Sequence, residues 1–232
     1  MNKAILLDIE GTTTPIDFVH NTLFPFAKAR IAGFVQENLD DLKFELGQLE
    51  AEHATDPGYN SGFRSDSANS VSDYLRHLID EDRKSSALKS IQGLIWQKGY
   101  ESGDLVSSMF DDVPAALKRW KDAGKSVAIF SSGSVLAQRL IFKYSDHGDL
   151  TQLIDAYFDT ASGAKREAAS YRSIADELAM DAGDLIFVSD IPAELDAART
   201  AGMQTALCMR AGNAAIKEDH SHRAIESFDS LD

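Results

Sequence analysis

Four short stretches of this 232-residue chain carry side chains that together could act on a phosphate ester. The first is Asp8-Ile9-Glu10-Gly11-Thr12-Thr13-Thr14, directly after the apolar run Ala4-Ile5-Leu6-Leu7. The second, Ser131-Ser132-Gly133-Ser134, follows the run Ser126-Val127-Ala128-Ile129-Phe130. The third is Lys165 in Ser162-Gly163-Ala164-Lys165, and the fourth is Ser189-Asp190, with Glu194 four residues on. Asp8 and Asp190 supply the hard oxygen ligands that Mg²⁺ prefers and leave room for waters and a phosphate oxygen. With that charge offset by Mg²⁺ and the Lys165 ammonium, a phosphate dianion could approach and Asp8 could attack phosphorus, giving an aspartyl-phosphate. Glu10 is placed to reach the leaving-group oxygen as acid and the attacking water as base. Ser131, Ser132 and Gly133 precede a helix, where a hydroxyl and free N–H groups make a phosphate pocket.

Each group alone has an ordinary explanation. Asp at a strand end is commonly a turn residue, Ser a helix cap and Lys a solvated charge. Capping does not explain four such stretches at the same edge of one sheet, and the elements predict that edge. Short apolar runs at 3–8, 126–130, 153–158, 184–188 and 204–209 read as strands. Helical spacing marks 113–123, a segment starting near Ser134, 167–178 and 193–201. Alternation of this kind predicts a parallel sheet with helices on both faces, whose ligands bind beyond the carboxyl ends of the strands.

Between the first strand and the rest lies a block without strand alternation. Phe34, Val35, Leu39, Leu42, Leu46 and Leu49 have the spacing of one helical element. Val71, Tyr74, Leu75, Leu78 and Ile79 mark a second, and Leu88, Ile91, Leu94 and Ile95 a third. Residues 54–68 are rich in turn formers and read as a loop. The expectation is an α/β fold with a Rossmann-like parallel sheet core from residues 1–14 and 105–232, and an inserted α-helical domain at 15–104.

Composition narrows the partners. Thirty-seven acidic residues against 23 Lys and Arg leave a formal charge of −14, which repels nucleic acid and anionic membranes. No apolar run reaches the roughly 18 residues of a spanning helix, and Asp8 and Glu10 follow the first apolar stretch too closely for a signal peptide. The single Cys208 cannot form an internal disulfide and lies in an apolar run that predicts a buried strand. A cytoplasmic monomer is expected, acting on a small phosphorylated metabolite. His220 and His222 have a spacing that could touch a metal, but without a third ligand they read as a polar tail.

The order Asp-x-Glu-Gly-Thr, strand-end Ser, Lys, then Asp after an apolar strand resembles the haloacid dehalogenase superfamily of Mg²⁺-dependent phosphatases. Asp8-Ile-Glu-Gly-Thr-Thr-Thr-Pro-Ile16, Ser131-Ser-Gly-Ser-Val135 and Arg210-Ala-Gly-Asn213 are similar to the enolase-phosphatase family, the acireductone synthases of methionine salvage. Glu10, where most superfamily phosphatases carry Asp, agrees with that narrower family. The resemblance implies enolisation of 2,3-diketo-5-methylthiopentyl 1-phosphate and then loss of phosphate to give the acireductone. It also implies a helical cap and roles for individual residues. Asp8 would be nucleophile and Mg²⁺ ligand, Glu10 would be acid/base and lend a backbone carbonyl to the metal, and Asp190 would be the other ligand. Ser131 and Ser132 would hold substrate, and Lys165 would hold phosphate and nucleophile.

Two other readings stand beside it. A plain phosphatase of the same superfamily would use the same motifs on another small phosphorylated metabolite. A non-catalytic phospho-metabolite binder would keep the pocket, but it has no need for Asp8 and Glu10 together. The base that starts enolisation is not evident from the residues; Glu10 is the nearest candidate.

Overall fold

A computed structural model describes residues 3–216 and 220–231. In chain order the elements are β1 (Ala4–Leu7), α1 (Ile16–Phe18), α2 (Phe24–Asn38), α3 (Lys43–His53), α4 (Ala68–Asp80), α5 (Ser86–Glu101), α6 (Val113–Asp122), β2 (Ser126–Phe130) and α7 (Val135–Lys143). There follow β3 (Ala156–Phe158), α8 (Ala168–Glu177), β4 (Leu185–Ser189), α9 (Pro192–Thr200), β5 (Gln204–Cys208) and β6 (Arg223–Ile225). They fall into two compact units, one of Met1–Val19 with Val106–Asp232 and the other of His20–Leu105.

The first unit is built on six strands in the order β3-β2-β1-β4-β5-β6. Every adjacent pair is parallel. Strands buried on both faces must be apolar throughout rather than alternating, and Ala4–Leu7 and Leu185–Ser189 are buried at every position. One side of the core joins Leu6, Phe130, Tyr171, Ile174, Phe187, Leu195 and Leu207, so strands and the helices α8 and α9 share one packed layer. Chain direction across the sheet reverses at β1, which lies between β2 and β4. That is the switch point at which an open α/β sheet leaves a crevice beyond its strand ends. Cys208 is fully buried at the end of β5, as its apolar run predicts.

The carboxyl-terminal segment departs from the expected polar tail. Arg223–Ile225 adds a sixth strand to β5, and His222 is buried, with Nδ1 2.8 Å from Thr205 Oγ1 and Nε2 3.2 Å from Asp196 Oδ1. A strand of three residues, two of them exposed, carries too little apolar pattern to be read from sequence.

In the helical unit the 34–49 stretch is two helices rather than one. They are separated by a 3₁₀ turn at Leu39–Asp41. Asn38 ends α2 by donating its side-chain amide to the Phe34 carbonyl at 2.6 Å, and Asp40-Asp41 follow with weak helix preference. The apolar spacing runs across the break because Leu42, Leu46 and Leu49 are all buried. Ser67 and Ser85 cap α4 and α5, accepting from Ser70 N at 3.4 Å and Leu88 N at 3.1 Å. Among the described residues no helix is long and apolar enough to cross a membrane.

Leu6 lies fully buried in the central strand. Its replacement by Ala removes apolar contacts from the layer that it fills with Phe130, Phe187 and Leu195 and should cost about 2–5 kcal/mol. Urea denaturation should show a lower midpoint at unchanged slope; a loss under about 1 kcal/mol would contradict this packing.

Candidate active site

Asp8 is the first residue beyond β1. Its N–H donates to the Val188 carbonyl at 3.0 Å, so the ladder with β4 continues to this position. The chain then turns sharply, with the amides of Thr13 and Thr14 both donating to the Ile9 carbonyl at 2.9 Å and Gly11 N to Thr14 O at 2.8 Å. Thr12, Thr13 and Thr14 are fully buried. Gly11 has φ +68°, and a Cβ there would collide with the Asp190 carboxylate. Glycine thus lets Asp190 approach the turn backbone. Glu10 is half-buried and bridges to Thr14 within the same turn.

Lys165 reaches this strand end from the loop before α8. Its ammonium lies 2.6 Å from Asp8 Oδ1 and 2.7 Å from Glu194 Oε2, with all three side chains largely buried. The rings of Phe130 and Phe187 stand with centroids 5.9 Å from the ammonium. Burial alone would release the lysine proton, but the charges of Asp8 and Glu194 outweigh it and hold the pKa above the ordinary lysine value. Lys165 is therefore a fixed cation.

The backbone that delivers Lys165 is tied down on both sides. Tyr171 donates its hydroxyl to the Lys165 carbonyl at 2.6 Å, and Ser170 Oγ donates to the Ala164 carbonyl at 2.7 Å. Gly163, at φ +114°, leaves the room that Ser170 fills. Burial raises the Tyr171 phenol far above its ordinary value, so it stays a donor.

Asp190 follows β4. Burial, and then the charges of Asp8 and Glu194, push its carboxyl up to about 7 despite the pull of Lys165. Glu194 sits in the first turn of α9 and accepts from Ser189 Oγ at 3.0 Å as well as from Lys165. Asp8 and Glu194 therefore share one ammonium, and Asp190 is raised by burial and then by their two charges.

Ser131 extends β2 and is buried, donating its N–H to the Phe158 carbonyl at 3.1 Å while its Oγ accepts from Gly133 N at 3.3 Å. Ser132 is exposed beside it. Ser134 caps α7 by accepting from Ala137 N at 3.3 Å. The fully buried Gln138 donates to the carbonyls of Gly133 and Phe158, both at 2.8 Å, fixing this loop to the end of β3.

The structure thus brings Asp8 and Lys165 into direct contact, places Asp190 within their field and sets Ser131 on the adjacent strand. Sequence reasoning noted Glu194 without a role. Its signal was its place directly after the strand end, in the first turn of the helix that follows β4. Tyr171 and Gln138 gave no signal, because each acts through a backbone carbonyl.

The comparisons with known proteins identify the family. Residues 2–202 match the family model of the haloacid dehalogenase-like hydrolases. Enolase-phosphatase E1 of Synechococcus elongatus is 49% identical over 237 residues, covering 98% of this chain and 97% of that protein. Enolase-phosphatase E1 of Drosophila persimilis is 43% identical over 238 residues, covering 99% and 94%. The crystal structure of UTR4 protein from Saccharomyces cerevisiae superimposes with a TM-score of 0.84 at 34% identity and covers all of both chains. With its strand-end Asp8, Lys165 and Asp190 in place, the chain belongs to the haloacid dehalogenase-like hydrolases and, within them, to the enolase-phosphatase E1 family.

Proposed function

We propose that this chain is a Mg²⁺-dependent enolase-phosphatase that converts 2,3-diketo-5-methylthiopentyl 1-phosphate into the acireductone and phosphate through an aspartyl-phosphate. The observation that carries the phosphoryl-transfer half is the buried 2.6 Å contact of the Lys165 ammonium with Asp8 Oδ1. It fixes one oxygen of Asp8 at a strand end and assigns the attack to the other. The relatives that share nearly the whole chain supply the enolase half and the substrate class.

The donor set fits a divalent cation. Asp8, Asp190 and the Glu10 carbonyl offer the hard oxygen atoms that such an ion takes. Among the described residues no three His, Cys, Asp or Glu side chains are grouped to hold a metal by themselves. When bound, Mg²⁺ supplies positive charge to oxygens on which negative charge develops.

The chain's own groups do the rest. Ser131, Ser132 and the amino end of α7 bind the phosphoryl group with Lys165. In enolisation, Glu10 takes the proton beside the carbonyl. A carboxylate oxygen of Asp8 then forms a bond to phosphorus as the bond from phosphorus to the ester oxygen breaks. Glu10 returns its proton to that leaving oxygen. In the second half Glu10 takes a proton from water, whose oxygen attacks phosphorus and frees Asp8 and phosphate. The sheet unit carries phosphoryl transfer.

Incubation of the purified protein and Mg²⁺ with the diketo phosphate should give an ultraviolet-absorbing enol and phosphate in parallel. Phosphate release from generic esters with the diketo phosphate untouched would instead mean a plain phosphatase. Asp8→Asn should abolish turnover without changing the circular dichroism spectrum, and Glu10→Gln should slow phosphate release about 10²–10⁴-fold. Full activity of Asp8→Asn would rule out the covalent route.

A pH dependence follows from Asp190. Its carboxyl titrates near about 7 when folded and near 3.8 ordinarily, so between those values the folded chain binds more protons than the unfolded chain. Metal-free stability then falls as pH rises through that window. Melting in EDTA should give a lower Tm at pH 8 than at pH 5, and Asp190→Asn should flatten the drop. Mg²⁺ should raise Tm more at pH 8, where Asp190 is ionised. Equal slopes for Asp190→Asn and the parent chain would contradict this.

A further inference from the structure

The turn that carries Asp8 and Glu10 is held from outside by three donors remote in sequence. Asn213 Nδ2 donates to the Gly11 carbonyl at 2.9 Å, Arg210 Nε to the Thr12 carbonyl at 3.2 Å and Phe110 N to the Thr13 carbonyl at 3.1 Å. Consecutive carbonyls directly after Glu10 are thus each tied to a different point of the sheet unit. Arg210 is the most constrained of these donors. Its guanidinium carbon lies 4.5 Å from the Phe110 ring centroid and 4.7 Å from that of Phe228. Nη1 binds Asp112 Oδ1 at 2.9 Å and the Glu226 carbonyl at 3.0 Å. The other Asp112 oxygen accepts from Phe228 N at 2.6 Å and Ser227 Oγ at 3.1 Å.

A buried ion pair adds little net stability, since desolvation offsets the attraction. What this pair does provide is direction. Guanidinium is planar, its donors are fixed relative to one another, and two rings and a carboxylate fix the plane. We propose that Arg210 is a positioning residue, which locks the Asp8–Thr14 turn through the Thr12 carbonyl and so fixes where Glu10 stands relative to Asp8. The catalytic part of this assignment rests on the roles given to Asp8 and Glu10 above. Lysine at this position keeps the charge and loses the fork.

Hydrogen exchange on the full chain tests the lock without any substrate. Arg210→Lys should speed exchange of the Thr13 and Thr14 amides at least about tenfold while the β4 amides of Ile186–Val188 change less than about twofold. In the parent chain the Arg210 Nε–H should exchange as slowly as those threonine amides, a measurement that holds even if the variant does not fold. With the diketo phosphate, Arg210→Lys should lower kcat about tenfold or more and leave KM within about twofold. Equal acceleration in the turn and in β4, a parent Nε–H exchanging far faster than Thr13 and Thr14, or an unchanged kcat would each overturn the proposal. If the parent chain leaves the diketo phosphate unchanged, the functional reading fails while the exchange data still decide whether Arg210 locks the turn.

Discussion

A buried ammonium held between carboxylates is the constraint on which the site depends. Lys165 is taken out of water between Asp8 and Glu194 and beside two phenyl rings. Such a charge stays only if its partners are close and fixed, because desolvation otherwise drives off the proton. Much of the local structure answers that demand. Tyr171 and Ser170 hold the carbonyls of Lys165 and Ala164, and Ser189 steadies Glu194. The same rings that wall the ammonium pack against Tyr171, with centroids 5.5 Å away for Phe130 and 5.0 Å for Phe187. Core packing and site geometry are therefore one set of contacts here.

The charge balance is incomplete, with one ammonium between the carboxylates of Asp8 and Glu194 and Asp190 in the field of all three groups. Burial, and then the charges of Asp8 and Glu194, favour a proton on Asp190. An anionic substrate adds to the same charge. The chain as a whole carries a formal −14, so attraction for such a substrate has to be generated within the strand-end crevice, where low dielectric makes each cation count for more than it would on the surface.

Legibility in the sequence followed distance along the chain. Asp8, Ser131 and Asp190 announce themselves because each ends an apolar run, and the run itself predicts the strand. Lys165 was legible only in combination, since alone it reads as a solvated charge. Arg210 and Asn213 carried family resemblance but no role, because they act across about 200 residues on backbone carbonyls, and a carbonyl has no sequence signature. The break between α2 and α3 was hidden for the opposite reason: burial kept the apolar spacing intact across a turn that Asn38 creates locally. Strand β6 was hidden by brevity.

Precision at the strand ends comes from register. Leu7 is paired with Ile129 on one side and Val188 on the other, so Asp8 is level with Phe130 and Ser189, and Ser131 and Asp190 each lie one residue further out. A slip of one residue in either ladder would turn every side chain of that strand to the opposite face. Phe130 and Phe187 would then leave Lys165, and Asp190 would leave the turn at Gly11. Because both faces of β1, β2 and β4 are buried, apolarity alone does not choose the register; the fit of particular side chains does, and a slip would take Phe130 and Phe187 out of the layer they fill. The side-chain packing of that layer is thus also what sets the spacing of the groups at the sheet edge, and Arg210, from the loop after β5, extends that control to the turn beyond the last ladder bond.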